Sequence, residues 1–364
     1  MKPHATKGPV HIVGSGLLGA STGLALRALG VAVTLEDTSP AALAVAGQIG
    51  AGQPGPPNQP SLVVVAVPPD VTATVVVTQL LAHPQAVVTD LASVKSAIVQ
   101  HLVNAEADLT RYVGSHPMAG KEQTGPAAAA ADLFTGRPWV ITAPTAASHK
   151  AVLAVRDLAT DLGASVQYLD PVPHDQAVAL VSHVPQVISS LLAARLVGAP
   201  GGALDLSGQG LRDVTRIAGS NPDLWSAILA ANGPAVAPVL RAIQQDLDNA
   251  IAALELGTQP AHLGQALVQL NALLSAGNQG VGRIPGKHGG HGQVFDQVVV
   301  LVPDRVGAMA KLFALLEAGG VNLEDLRLEH AAGQAVGRAT LSVPQGMGPV
   351  LTASLEENGW GVLS

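Results

Sequence analysis

The apolar run Val10 to Val13 passes directly into Gly14-Ser15-Gly16-Leu17-Leu18-Gly19 and then into a helical pattern of small residues through Ala28. A glycine-rich turn in that setting predicts a strand, a tight turn and a helix packed back on the strand, the opening unit of a parallel sheet. The first glycine permits the turn, the second lets a pyrophosphate approach the backbone, and the third allows close helix-strand packing. The helix N-terminus beyond them would stabilise phosphate charge. A second apolar run, Val31 to Leu35, ends in Glu36-Asp37, roughly 20 residues on, where a carboxylate accepts hydrogen bonds from an adenosine ribose. Gly14, Gly16, Leu17, Leu18, Gly19 and Asp37, with Val67 and Pro68 at the end of the third apolar run, are the expected dinucleotide contacts. Thr38 stands where an arginine would receive a 2'-phosphate, and Glu36 adds negative charge against one, so NAD is the expected cofactor.

Further strands are expected at Leu62 to Val67, Val87 to Thr89 and Val140 to Thr142, with helices between them. This predicts a Rossmann-type parallel sheet domain over residues 8–172. From Pro173 the pattern changes to long alanine- and leucine-rich stretches, Gln176 to Val197, Leu224 to Ala231 and Val236 to Leu256, which predict an all-helical domain over 173–276. The Gly-, Pro- and His-rich stretch Gly277 to Gly292 carries no periodicity and reads as a linker, 277–293. Residues 294–364 read strand, helix, strand, strand, helix, strand, the ferredoxin-like order. The expected fold class is α/β, with a C-terminal α+β domain.

A chain of 364 residues is longer than one hydrophobic core supports, which fits this division. Aromatic residues are only 2%, so the cores must be aliphatic. The net charge is -7 and no stretch is dense in lysine or arginine, which argues against a nucleic-acid partner. The absence of cysteine excludes disulfides, thiolate metal ligands and a cysteine nucleophile, and fits a cytoplasmic protein. No metal site is expected. Met1 to Gly8 lacks the apolar core of a signal peptide, and no apolar run is expected to approach membrane-spanning length.

Three further stretches stand out: Asp90-Leu91-Ala92-Ser93-Val94-Lys95, Gly114-Ser115-His116-Pro117-Met118-Ala119-Gly120-Lys121-Glu122, and Ser182-His183-Val184-Pro185-Gln186, supported by Arg212-Asp213-Val214-Thr215-Arg216. Together with the glycine turn they resemble, in order, the TyrA family of prephenate and arogenate dehydrogenases, from about Val10 to about Leu256. That resemblance implies hydride loss from a ring carbon bearing a hydroxyl, loss of the opposite carboxylate as carbon dioxide, and aromatisation. Histidine suits the acceptance of the hydroxyl proton. The family's catalytic histidine falls on His116, expected in a loop at the carboxyl end of the sheet, and the serine that bonds the same hydroxyl and helps orient that histidine falls on Ser93. Its carboxylate-binding arginine falls on Arg216, and a second substrate histidine on His183. Glu122 matches an acidic residue at the pocket mouth that pairs with Arg216 when substrate is absent. Arg212 either shares the pocket or pairs with a surface acid. His83, His101, His149 and His174 have no motif around them and read as ordinary polar residues.

Prephenate and arogenate differ in a keto group against an ammonium. Gln186 is neutral where many relatives of this family carry histidine, so the expected substrate is prephenate, with arogenate as the alternative. The helical domain is apolar enough that a monomer would expose much of it, so a homodimer is expected.

Val300 to Met309, including Asp304-Arg305-Val306-Gly307, followed by Gly320-Val321-Asn322-Leu323, resembles the ACT domain. The resemblance implies an amino-acid site, with Asp304, Gly307 and Asn322 as regulatory residues and tyrosine, the pathway product, as the natural feedback ligand. Val306 stands where that family usually has proline.

Two other readings meet obstacles. A β-hydroxyacid dehydrogenase or imine reductase would also place a dinucleotide domain before an all-helical one, but the hydroxyacid enzymes need a catalytic lysine in that second domain and no lysine occurs between Lys150 and Lys287. A non-catalytic nucleotide and amino-acid sensor would have no use for a proton acceptor such as His116 beside a hydride acceptor.

Overall fold

The computed structural model describes residues 4–56, 59–120, 123–285, 295–330 and 335–363. It divides into two compact units, Met1–Ile243 and Gln244–Ser364.

The first unit is built on eight strands: β1 (Val10–Val13), β2 (Val33–Glu36), β3 (Gln53–Pro54), β4 (Leu62–Val65), β5 (Val87–Asp90), β6 (Tyr112–Pro117), β7 (Pro138–Thr142) and β8 (Ser165–Tyr168). Their order is β3-β2-β1-β4-β5-β6-β7-β8. All pairings are parallel except β6 with β7. Side chains alternate across a strand, and both faces here are apolar. Leu62 and Val64 of β4 pack with Val10, Ile12 and Leu35 beneath helices α1 (Leu17–Ala28), α2 (Pro40–Gln48) and, farther along, α5 (His149–Asp161). Val63 and Val65 face the other way, toward Val76 and Leu80 of α3 (Pro69–Ala82) and Ile98 and Leu102 of α4 (Ser96–Asn104). The strand order reverses between β1 and β4, and a crevice at the carboxyl ends of such strands is where ligands bind in doubly wound sheets.

The remainder of this unit is helical: α6 (Pro171–Val178), α7 (Val184–Leu196), α8 (Gln209–Thr215), α9 (Pro222–Ala231) and the start of α10 (Gly233–Leu256). A π-helical turn, Ala179–His183, joins α6 to α7. The combined helix, Pro171–Leu196, runs 26 residues with a window of mean hydropathy 1.6, long and apolar enough to span a membrane. This corrects the expectation from sequence. Single polar residues interrupt the run in the sequence, but helical winding gathers several of them, His174, Asp175, His183, Gln186 and Ser189, into buried positions. Leu180, Val181 and Leu191 are exposed. Several of these buried polar groups are hydrogen-bonded inside the protein.

The second unit holds the rest of α10, then α11 (Leu263–Val281), β9 (Phe295–Pro303), α12 (Ala308–Ala318), β10 (Asp325–His330), β11 (Val336–Pro344), α13 (Gly348–Glu357) and β12 (Gly361–Leu363). The last four strands form an antiparallel sheet, β10-β11-β9-β12, the ferredoxin-like connectivity. Val298, Val300 and Val302 pack with Leu312 and Leu316 of α12 and Leu351 and Leu355 of α13. Helix α11 continues through Gly277 to Val281, inside the stretch read as linker. Glycine lowers helix propensity by about 1 kcal/mol but does not forbid helix.

Candidate active site

The glycine turn has three different steric demands. Gly14 has φ +97°, and a Cβ there would lie 2.3 Å from the Ala66 carbonyl oxygen. A Cβ on Gly19 would lie 1.8 Å from the carbonyl oxygen of Gly14, so only glycine lets α1 meet β1 this closely. At Gly16 a Cβ would meet nothing within 4 Å. Glycine there is not needed for packing, and the open space above it is a cradle for a ligand. Gly16 caps α1 without a side-chain hydrogen bond, which leaves N–H groups of Leu17 and Leu18 directed at that space. These residues fit a dinucleotide pyrophosphate.

Asp37 follows β2, and its Oδ2 accepts hydrogen bonds from the Ser15 backbone N–H at 2.6 Å and hydroxyl at 2.7 Å, while Oδ1 accepts from the Ser39 N–H at 2.7 Å. The carboxylate therefore also ties the glycine turn to the neighbouring strand end. Val67 is half-buried and its side chain lies against Gly14; Pro68 is exposed at the cap of α3.

A second set of polar groups lies at the carboxyl ends of β5 and β6. His116 belongs to β6 and pairs with Val140 of β7, so it sits on a strand and not in the expected loop. The antiparallel partner β7 supplies the pairing that a single-sequence reading of Tyr112–Pro117 lacks. His116 is 8% exposed, and its Nδ1 lies 2.9 Å from Nε2 of His174. Nδ1 of His174 lies 2.8 Å from Oδ1 of Asp175, whose carboxylate also accepts the backbone N–H groups of Lys95 at 2.9 Å and Ser96 at 2.8 Å. Burial opposes ionisation of Asp175, but hydrogen bonds from His174, Ser96 and Lys95 outweigh it and hold the carboxyl below the ordinary range. Burial, with repulsion from His174, Lys95 and His183, pushes His116 well below the ordinary histidine range.

Beneath this pair, Lys95 Nζ is ion-paired with Oδ1 of Asp90, and both side chains are fully buried. Asp90 Oδ2 accepts the Tyr112 hydroxyl at 2.7 Å and Oδ1 accepts the Ala92 N–H at 2.9 Å. Burial lowers the Lys95 pKa and raises that of Tyr112. The motif Asp90 to Lys95 thus folds back on itself with its charges matched.

His183, in the π-helical turn, is buried and lowered to about 4 by desolvation. Its Nδ1 lies 2.9 Å from Nδ2 of Asn232, which donates to the Asp175 carbonyl at 2.9 Å as well. Trp225 meets the His183 ring edge to face. Gln186 Nε2 donates to the carbonyl of Ile217 at 3.0 Å, tying α7 to the segment that carries Arg216. Gln186, Ser190, Ala218, Ser220, Trp225 and Ser226 line a groove of about 310 Å³.

Ser93 is half-buried in the bend between β5 and α4, and among the described residues no hydrogen bond joins it to His116, whose Nδ1 is taken by His174. Arg216 and Arg212 are exposed at the end of α8 and just beyond it. Glu122 lies outside the described residues. In the C-terminal sheet, Asp304 donates its N–H to the Ala335 carbonyl, Gly307 has φ +84° ahead of α12, and Asn322 donates to Glu324 at 2.6 Å.

Sequence reasoning does not single out His174. Its signal is faint: a His-Asp dipeptide in the first turns of a helix, where the aspartate can reach a neighbouring helix N-terminus and the histidine a facing strand. Asn232 was missed too, because its partners are 57 and 49 residues away.

The doubly wound sheet, the glycine cradle and a buried histidine at the strand ends define a nucleotide-binding oxidoreductase. Family models narrow this: the prephenate dehydrogenase nucleotide-binding domain matches residues 22–168, and the prephenate dehydrogenase dimerization domain matches 170–269. A relative named "Probable prephenate dehydrogenase NovF" from Streptomyces niveus is 33% identical over 353 residues, 96% of this chain and 98% of that protein. A crystal structure of prephenate dehydrogenase from Aquifex aeolicus, in complex with hydroxyphenyl propionate and NAD+, superposes with a TM-score of 0.66 at 25% identity, covering 76% of this chain and 99% of that one. A Synechocystis arogenate dehydrogenase structure gives 0.58 at 28% identity, covering 72% and 97%. The chain belongs to the prephenate dehydrogenase family.

Proposed function

We propose that this chain is an NAD-dependent prephenate dehydrogenase that forms 4-hydroxyphenylpyruvate and carbon dioxide on the way to tyrosine. The observation that carries the reading is the state of His116: buried, with Nδ1 hydrogen-bonded and Nε2 without a partner among the described residues.

The nicotinamide, when bound, would accept the hydride. Gly14, Gly16 and Gly19, with the N–H groups of Leu17 and Leu18, would hold the pyrophosphate, flanked by Val67 and Pro68. Asp37 would accept from the adenosine ribose while it keeps its bonds to Ser15. His116 Nε2 would take the proton of the ring hydroxyl as hydride leaves, and would return it to the oxygen once loss of carbon dioxide has made the ring aromatic. Burial keeps His116 neutral, so its lone pair is available at neutral pH. The Ser93 hydroxyl would bond the same ring oxygen. Arg216 would hold a substrate carboxylate in a forked geometry that orients as well as attracts. His183, Gln186, Arg212 and Glu122 would complete the substrate site. Aromatisation drives the reaction forward, so the protein's task is chiefly positioning.

Gln186 carries no charge to receive the ammonium of arogenate, which favours prephenate over arogenate. The exposed apolar side chains of Pro171–Leu196, in the segment matched by the dimerization model, support a homodimer. The reading places the enzyme in the cytoplasm, with a nucleotide domain over 8–172, a helical domain from 173 that runs on to the end of α11 at Val281, and an ACT-like domain over 294–364. Asp304, Gly307 and Asn322 would bind tyrosine as feedback inhibitor there.

The test is formation of NADH by the purified protein with NAD and either prephenate or arogenate, each with and without tyrosine. Turnover of prephenate supports the reading, and its inhibition by tyrosine supports the regulatory assignment. Turnover of arogenate alone would replace the substrate, and turnover of neither would overturn the assignment.

A further inference from the structure

We propose that His174 and Asp175 are positioning residues that set the tautomer of His116, so that Nε2 of His116 is the bare, basic nitrogen. The inference rests on His116 being the proton acceptor, as proposed above, but its geometric part stands without any substrate.

The direction of the chain follows from its far end. Asp175 accepts two backbone N–H groups, those of Lys95 and Ser96 at the start of α4. A carboxylate held this way at a helix N-terminus is favoured in its ionised form. It can only accept, so the nitrogen facing it, Nδ1 of His174, carries the hydrogen. With His174 neutral, its Nε2 is then a lone pair. The nitrogen facing that lone pair, Nδ1 of His116, must be a donor. Nε2 of His116 is left as the acceptor. Each link is buried: His174 is 0% exposed and Asp175 4%. Solvent therefore offers little alternative partner to either ring.

The groups facing His116 are His174 from α6, Lys95 ahead of α4 and His183 from the π-helical turn. Lys95 is neutralised locally by Asp90. Asp175 is thus the carboxylate on the relay itself, and it is positioned to balance a proton arriving at Nε2 of His116. A proton on His174 Nε2 would reverse the whole order and leave His116 with a donor at Nε2, which cannot accept. The pair therefore acts as a setting for the base as well as a support for it.

The tautomer can be read directly. Nitrogen-15 imidazole spectra of histidine-labelled protein at neutral pH, with the His116 signals identified by their loss in His116→Asn, report which nitrogen carries the hydrogen. Protonated Nδ1 and bare Nε2 are expected; this is the minor form of free neutral imidazole, so it does not arise without a partner. Bare Nδ1 would overturn the proposal whatever the enzyme turns over. Kinetics supply the second arm, through His174→Leu and His174→Gln with NAD binding and thermal melting as controls of folding. Glutamine offers a carbonyl oxygen where His174 offers Nε2, while leucine offers nothing. Loss of tenfold or more in kcat for His174→Leu with KM little changed, partly restored in His174→Gln, is the expected pattern. Equal kcat in wild type and His174→Leu, with the same pH profile, would contradict it. Failure of the wild-type protein to turn over prephenate would refute the proposed activity, and the spectra would still decide the tautomer.

Discussion

Nδ1 of His116 lies 2.9 Å from Nε2 of His174, although 58 residues separate them in the chain. The bond joins the carboxyl end of strand β6 to the opening turns of helix α6. One short contact thereby holds the sheet and the helical segment in register around the candidate base. Asp175, one residue on, fixes the same helix to the start of α4. Consequences for binding and stability follow from this arrangement.

Gly16 and Gly19 should respond oppositely to alanine. Gly16→Ala adds a methyl into open space with an ordinary φ of -67°, so the melting temperature should stay within a few degrees while NADH affinity falls at least tenfold. Gly19→Ala forces a methyl to 1.8 Å from the Gly14 carbonyl oxygen, so it should lower stability by about 2 kcal/mol or more. Thermal melts and NADH fluorescence titrations separate the two. Equal NADH binding by wild type and Gly16→Ala would show that the cradle is not the pyrophosphate site.

Lys95→Met should be strongly destabilising, because it leaves the Asp90 carboxylate buried without its ion-pair partner. The expected loss is about 3–5 kcal/mol. Asp90→Asn combined with Lys95→Met should recover part of it, since no lone charge then remains. Urea denaturation of the single and double variants measures both, and a double variant as unstable as the sum of the singles would contradict the pairing.

Stability should fall with acid in a defined window. His183 titrates at about 4 in the folded chain and near the ordinary 6.5 when unfolded. Its contribution is complete above about pH 6.5 and is lost as pH drops toward 4, because the unfolded chain takes up the proton first. The loss approaches about 3 kcal/mol at the lower end. His116, also lowered, acts in the same direction. Asp175, held below 3.8, adds its loss only at still lower pH. Urea midpoints at about pH 7.5 and about pH 4.5 should differ accordingly, and equal midpoints would show that these rings are not buried as neutral groups.

Arg216→Ala should reduce kcat/KM for prephenate roughly 100-fold, about 3 kcal/mol, with KM for NAD little changed. Arg216→Lys should recover only a small part, because an ammonium cannot make the forked contact. Steady-state kinetics of both variants check this. A change confined to the KM for NAD would move Arg216 to the cofactor side of the site.

How much of this was legible in the sequence depends on how local each signal is. The glycine turn is local: Gly14, Gly16 and Gly19 announce strand, turn and helix within ten residues or so. Strand β6 is not legible locally, because Tyr112–Pro117 contains glycine, histidine and proline and its strand character comes from its neighbours on the sheet. His174 reads as an ordinary polar residue because its partner lies on another element; a helix opening on Pro-Val-Pro-His-Asp gives no hint of the strand it faces. Gly277 and Gly280 disguised the end of α11, whose length rests on more than local propensity. The Asp90 to Lys95 motif was visible, but its purpose, a buried ion pair that closes on itself, was not.

The most direct test of the central claim compares prephenate turnover by wild type and His116→Asn under saturating NAD, with NADH binding measured on both. Asparagine can keep a hydrogen bond to His174 but cannot accept a proton at neutral pH. The account expects kcat to fall by roughly 100-fold or more, with NADH affinity and melting temperature little changed. A variant that binds the dinucleotide and turns over prephenate at the wild-type rate would show that His116 is not the base.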